Sequence, residues 1–241
     1  MNDFRQSDAG LGRDAYCNFG DVIYGREITK ADKVERFVSK VATLGLGFGM
    51  GEPKFQITLA KGALGGPPVY FDLDRCKTIV NAYRRKNYRI KAGWDICTRI
   101  IEDMAAGRSG SHKCISWEKE KIWMPNGMCL KYPDLKKKVG DKGWDEWTYQ
   151  ANRIRKKLYG SLLDENIIQC LARIIVADQM LVIQKKRRLV LMTHDECVAA
   201  VAARSGPACL KEMYKAFSTA PSWCSDIPLS CEGGFDVVYS K

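Results

Sequence analysis

Leu191-Met192-Thr193-His194-Asp195-Glu196-Cys197 sets a polar tetrad between two apolar runs. Arg188-Leu189-Val190-Leu191-Met192 leads into it, and Cys197-Val198-Ala199-Ala200-Val201 leads away. Short β-prone runs on both sides of a polar turn predict a hairpin. Its tip carries adjacent carboxylates, and a tip is a poor place to hide charge. A cation is expected to visit them, and in a chain of net charge +11 a divalent metal is the first candidate. Successive strand residues point to opposite faces, so Asp195 and Glu196 cannot both aim fully at one ion on a regular strand.

Far upstream lies Arg36-Phe37-Val38-Ser39-Lys40-Val41-Ala42-Thr43-Leu44-Gly45-Leu46-Gly47-Phe48-Gly49. Thr29 predicts an N-cap for a helix opening at Lys30, with Asp32 in its first turn, running to about Leu44. Arg36, Lys40, Leu44 and Phe48 are spaced by four. Each such step advances about 40° around a helix, so the four lie on one slowly winding stripe. Two cations at the start of the stripe can grip a triphosphate, and an aromatic further along can lie against a base. The glycines alternate strictly after a helix. They are therefore not the dinucleotide fingerprint, which follows a strand, and no Walker A pattern exists.

The chain has 241 residues, enough for one large domain or two modest ones. Its 39 Lys and Arg against 28 Asp and Glu suit a polyanionic partner. No apolar run approaches the roughly 20 residues that span a bilayer. The polar start Met1-Asn2-Asp3-Phe4-Arg5-Gln6 lacks a signal-peptide core. A cytoplasmic location without a membrane partner is expected. Ten cysteines contain no Cys-x-x-Cys pair, and only His112 and His194 could join them, which argues against a clustered zinc site. Free, mostly buried thiols are expected.

Arg13 to Tyr24 carries a helical apolar stripe, and Asp74 to Met104 reads as one long basic helix. Strand-like pieces follow near Cys114 to Trp117 and Lys121 to Met124. Pro125-Asn126-Gly127 predicts a turn and Met128 to Tyr132 a return strand. Pro133 to Gly143 reads as a lysine-rich connector. Leu158 to Lys186 is the longest helical signal, and Gly206 to Thr219 predicts a last helix. Helices first, then an antiparallel core with a packed helix, give an α+β class.

The Thr-His-Asp-Glu hairpin resembles the last catalytic motif of family-A DNA polymerases, the class containing bacterial repair polymerase I and many bacteriophage replicases. Arg36 to Gly49 resembles that family's nucleotide-binding helix, with Leu44 in place of its Phe and Phe48 in place of its Tyr. The resemblance covers nearly the whole chain. It implies a helical fingers subdomain at residues 1–118 and a palm at 119–241, its antiparallel hairpin packed on a long helix. It further implies template-directed deoxynucleotidyl transfer to a primer 3′ end. Arg36, Lys40 and Phe48 would bind the deoxynucleoside triphosphate, and Leu44 would affect sugar selection. Asp195 would be a magnesium ligand and Glu196 a lesser contributor, while His194 touches the primer end or supports the turn. Glu165-Asn166-Ile167-Ile168-Gln169 resembles the segment whose amides face the primer-template DNA minor groove. Gln169 is the better choice there and Asn166 the weaker.

Two departures stand out. Met128 replaces an arginine in the family's Pro-Ser-Gly-Arg turn. The first catalytic motif, Asp-Tyr-Ser-x-Ile-Glu, has no counterpart among the 241 residues. Phe4-Arg5-Gln6 through Gly12-Arg13-Asp14-Ala15-Tyr16 resembles the segment just after it. The mechanism uses two Mg2+ ions held by carboxylates from separate strands. One ligand aspartate is therefore expected from a missing segment, on an upstream polymerase polypeptide. The isolated chain is expected to have little or no activity. The alternative is a non-catalytic nucleic-acid-binding remnant. Lys136-Lys137-Lys138 reads as solvated loop charge, whereas Lys185-Lys186-Arg187-Arg188, beside the hairpin, has a better claim to DNA.

Overall fold

The computed structural model describes residues 13–140 and 143–239. The polar start, and residues 4–12 of the segment likened to the stretch after the first catalytic motif, lie outside the described residues. The described chain mixes α-helices with antiparallel sheets, an α+β class. It divides into two units. One comprises the residues up to Trp123 together with Cys129–Asn166, and the other Met124–Met128 with the residues from Ile167 onward.

The first unit begins with α1 (Ala15–Tyr24), α2 (Lys33–Leu46), α3 (Glu52–Ala60), α4 (Leu73–Lys86) and α5 (Tyr88–Ala106). Phe19, Phe37, Val38, Val41, Leu46, Phe55, Leu59, Ile79 and Tyr83 form a buried cluster drawn from the first four helices. Each such side chain contributes roughly 1.5–3 kcal/mol by leaving water. Asp14 caps α1 by accepting from the Cys17 N–H at 2.8 Å.

Helix α2 opens three residues later than its sequence suggests. The Asp32 carboxylate accepts from the Thr29 N–H at 2.8 Å and hydroxyl at 2.9 Å, and Arg26 donates to it at 2.9 Å. Thr29 is thus the donor of a closed loop, and the helix starts after Asp32. The predicted 74–104 helix is two helices. Asn87 sits at φ −106° and ψ 43°, and both its backbone N–H (2.8 Å) and its side-chain amide (3.1 Å) donate to the Tyr83 carbonyl. A side chain that competes for backbone acceptors ends α4 there.

Two sheets complete this unit. β1 (Gly110–His112), β2 (Ile115–Glu118), β3 (Lys121–Trp123) and β4 (Cys129–Lys131) form an antiparallel meander. β5 (Lys136–Val139), β6 (Asp145–Ala151) and β7 (Ile154–Lys157) form a second antiparallel sheet. The lysine-rich stretch read as a connector is therefore an edge strand, exposed at every position.

The second unit is built on α6 (Gly160–Gln184), from Ile167 onward, with β8 (Leu189–Thr193), β9 (Glu196–Ala199) and α7 (Gly206–Phe217). Ile174, Ile175, Ile183, Cys209 and Ala216 are buried. Gln179 is buried among them, and its amide donates to the Phe217 and Thr219 carbonyls at 3.1 Å each. It satisfies two carbonyls left without helical partners at the end of α7. Arg187 forks onto Glu212 at 2.8 and 3.2 Å, tying the approach to the hairpin to α7. By length and composition α6 is apolar enough to cross a membrane, with mean hydropathy 1.6 and 28% of its window buried. The sequence reading did not foresee this, since Arg173 and Asp178 interrupt the run.

All ten cysteines are free. Cys17, Cys76, Cys97 and Cys209 are buried and the other six half-buried, so the expectation of mostly buried thiols is corrected.

Candidate active site

The register of β8 and β9 pairs Thr193 with Glu196, which leaves His194 and Asp195 as a two-residue turn. His194 has φ 53°, the left-handed region that such tight turns require and side chains other than glycine seldom adopt. Asp195 is exposed at the apex, and Glu196 is half-buried as the first residue of β9. The two carboxylates therefore differ in setting, one on the turn and one on a strand. Burial, followed by Cys209 and Glu196, pushes the adjoining Cys197 thiol up to about 11, so it stays protonated near neutral pH.

Carboxylate oxygens are the donors a hard cation such as Mg2+ takes, and it commonly binds through one or two carboxylates plus water and substrate phosphates. Among the described residues no group of three or more His, Cys, Asp and Glu side chains could hold a metal ion. The carboxylates of Asp195 and Glu196 could by themselves supply only part of a magnesium sphere. A magnesium ion bound there would neutralise phosphate charge.

In the first unit, α2 buries Phe37, Val38, Ser39, Val41, Ala42 and Leu46. The row opposite carries the predicted nucleotide contacts. Arg36 and Lys40 are half-buried and Leu44 is 40% exposed. Phe48 lies just beyond the helix in a turn, where its N–H donates to the Gly45 carbonyl at 3.3 Å. Gly49 closes that turn at φ 80°, and a Cβ there would sit 2.2 Å from the Ser161 hydroxyl oxygen, so only glycine fits.

Arg36 and Lys40 are not equivalent. Arg36 pairs with Asp14 at 2.8 Å and lies 5.4 Å from the centre of the Tyr16 ring. Burial pushes the Asp14 carboxyl up, but the Cys17 N–H and the Arg36 guanidinium outweigh it and hold it below its ordinary value. Among the described residues Lys40 has no ion pair. The available cation of the row is Lys40, and Arg36 would have to exchange Asp14 to reach a phosphate. The sequence reading missed Asp14 as this partner, because 22 residues separate the two and neither helix periodicity nor a motif links them.

The two amides read as DNA contacts also differ. Asn166 is half-buried and donates to the Tyr132 hydroxyl at 3.2 Å, whereas Gln169 is exposed. In the basic run before the hairpin, Lys185, Lys186 and Arg188 are exposed, while Arg187 is engaged with Glu212. Met128, after the 125–127 turn, is 68% exposed. No protein-family model matches the chain, and a search of curated proteins found no match.

Proposed function

We propose that this chain is the fingers-palm part of a family-A, template-directed DNA polymerase, working with a polypeptide that supplies the other catalytic carboxylate. The observation that carries the reading is the hairpin turn, which presents Asp195 at an exposed apex with Glu196 opening the return strand. Lys40, on the outer row of a well-anchored helix and without an ion pair among the described residues, adds support. In the reaction the primer 3′-hydroxyl gives up its proton to water, its oxygen bonds to the α-phosphorus, the bond to the bridging oxygen breaks, and pyrophosphate leaves. Asp195 would hold magnesium at the reacting phosphates, Lys40 would neutralise the triphosphate as a point charge, and Phe48 would lie against the base.

The test is primer extension with magnesium and deoxynucleoside triphosphates, by the chain alone and with an upstream polypeptide carrying the missing motif. Extension is expected only from the pair, and Asp195→Ala should abolish it while sparing DNA binding. Normal extension by that variant would sink the site assignment. A second reading, a nucleic-acid-binding remnant without chemistry, is favoured by the engagement of Arg36 with Asp14. A reconstituted pair that binds primer-template but never extends it would support that alternative.

A further inference from the structure

The sheet β5–β7 concentrates cations that the polymerase reading leaves unused. Lys136, Lys137 and Lys138 line β5, Arg155, Lys156 and Lys157 line β7, and Arg153 sits in the turn before β7. Three of the seven form ion pairs, with two carboxylates between them. Lys136 pairs with Asp134 at 2.8 Å, Arg155 pairs with the same carboxylate, and Lys157 pairs with Glu146 at 2.7 Å. Among the described residues Lys137, Lys138, Arg153 and Lys156 have no ion pair.

Register places two of these four with aromatic side chains. Lys137 stands opposite Trp147 on the central strand, and Lys156 opposite Tyr149. Trp147 and Tyr149 are two residues apart on β6 and therefore share a face, flanked by one unpaired lysine from each outer strand. The Lys137 ammonium lies 5.1 Å from the centre of the Trp147 ring, which is half-buried. Tyr149 packs edge-on against Tyr132 with ring centres 5.0 Å apart, so its ring already has an aromatic partner within the protein. Trp144, at the bend before β6, is 76% exposed. By strand spacing, Lys137 and Lys156 lie roughly 12 Å apart across the sheet.

An exposed antiparallel sheet with aromatic rings on its central strand and unpaired cations on the outer strands has the chemistry of a platform for unpaired nucleic acid. Any base can stack on a ring, and the flanking lysines take phosphates. A duplex hides its base faces and would use only the charges. We infer that the β5–β7 sheet binds a single strand, with Trp147 stacking a base and Lys137 and Lys156 contacting phosphates. Binding of this kind needs no catalysis.

The experiment is fluorescence anisotropy of the full chain with a labelled oligothymidylate, titrated at about 50 and about 200 mM salt. Lys137→Gln/Lys156→Gln removes two phosphate contacts. At a slope of about 0.7 per contact, wild type should lose about sevenfold more affinity than this variant across that salt change. Trp147→Leu should weaken binding roughly tenfold, and an equal-length duplex should bind less tightly than the single strand. A control, Lys54→Gln/Lys61→Gln, removes the same charge from exposed positions elsewhere and should bind like wild type. The inference is overturned if the double lysine variant keeps wild-type affinity and salt slope. It is equally overturned if the control loses as much, or if the duplex binds as well as the single strand. The lysine variants alter only exposed side chains, so they decide the matter even if Trp147→Leu fails to fold.

Discussion

Helix α2 and the β8–β9 hairpin each carry charged residues that the proposed function uses, and the two elements are supported in opposite ways. Helix α2 places five residues in a core shared with three other helices, so the outer row of Arg36, Lys40 and Leu44 is held from behind. No residue of β8 or β9 is fully buried, and Val190 and Leu191 are 50% and 47% exposed. A two-stranded hairpin is marginal by itself. The cationic row is thus backed by a buried core, whereas the strands that carry the acidic tip are at most half-buried. A tip of this kind suits a group whose geometry is completed by what binds to it. That difference is what the following experiments probe.

The largest effect should come from the tip. Asp195→Ala in the reconstituted pair should lower the extension rate about a thousandfold, since several kcal/mol of transition-state charge stabilisation would go with a metal ligand. Affinity for primer-template should stay within twofold, checked by anisotropy. Equal loss of rate and affinity would mean that Asp195 supports structure or binding rather than chemistry.

Stability should respond the other way. Leu46→Ala in α2 deletes a buried side chain and should cost about 2–5 kcal/mol in urea unfolding. Val190→Ala in β8 should stay within about 0.5 kcal/mol. If the two substitutions cost the same, the hairpin is as well anchored as the helix and the contrast fails.

Within α2 the two cations should separate. Lys40→Ala should leave stability unchanged but raise the KM for deoxynucleoside triphosphate roughly tenfold, the loss of one charge-assisted phosphate contact. Arg36→Ala should cost about 1 kcal/mol of stability, because its bond to Asp14 is partly shielded from water. Asp14→Asn weakens that bond, and a resulting fall in KM would place Arg36 among the nucleotide contacts after all.

The sequence revealed features whose signal is local. The hairpin followed from apolar runs around Thr193 to Glu196, and the 125–127 turn from Pro-Asn-Gly, whose Gly127 has φ 79°. The outward row of α2 followed from its spacing of four. What the sequence concealed depends on distant partners. Strand β5 shows no apolar alternation because lysine occupies both of its faces, and its pairing with β6 runs from Lys136 with Thr148 to Val139 with Asp145. Asn87 divides a continuous helical pattern through a bond to Tyr83 that periodicity does not register. The Asp14–Arg36 pair, which decides how available the predicted arginine is, requires two helices to be packed first.

The smallest effect sits at the entrance to α2 and tests how its row is fixed. The Thr29 N–H, then the Thr29 hydroxyl and Arg26, hold the Asp32 carboxyl at about 2 against an ordinary 3.8. A depressed carboxyl contributes stability above its unfolded value and loses it as pH falls through its folded value. The contribution of Asp32 is therefore complete above about pH 4 and disappears towards about pH 2. Asp32→Asn removes the charge while keeping one oxygen acceptor for Thr29. The advantage of wild type over this variant should be constant near neutral pH and close between about pH 4 and pH 2, as followed by hydrogen exchange of the α2 amides. The Asp32 carboxylate is half-buried but its Arg26 partner is exposed, so the gap should be small and should shrink further in high salt. A gap that persists unchanged to pH 2 would mean that the loop at 29–32 is held by its backbone alone, and the charge on Asp32 would have no part in positioning the row.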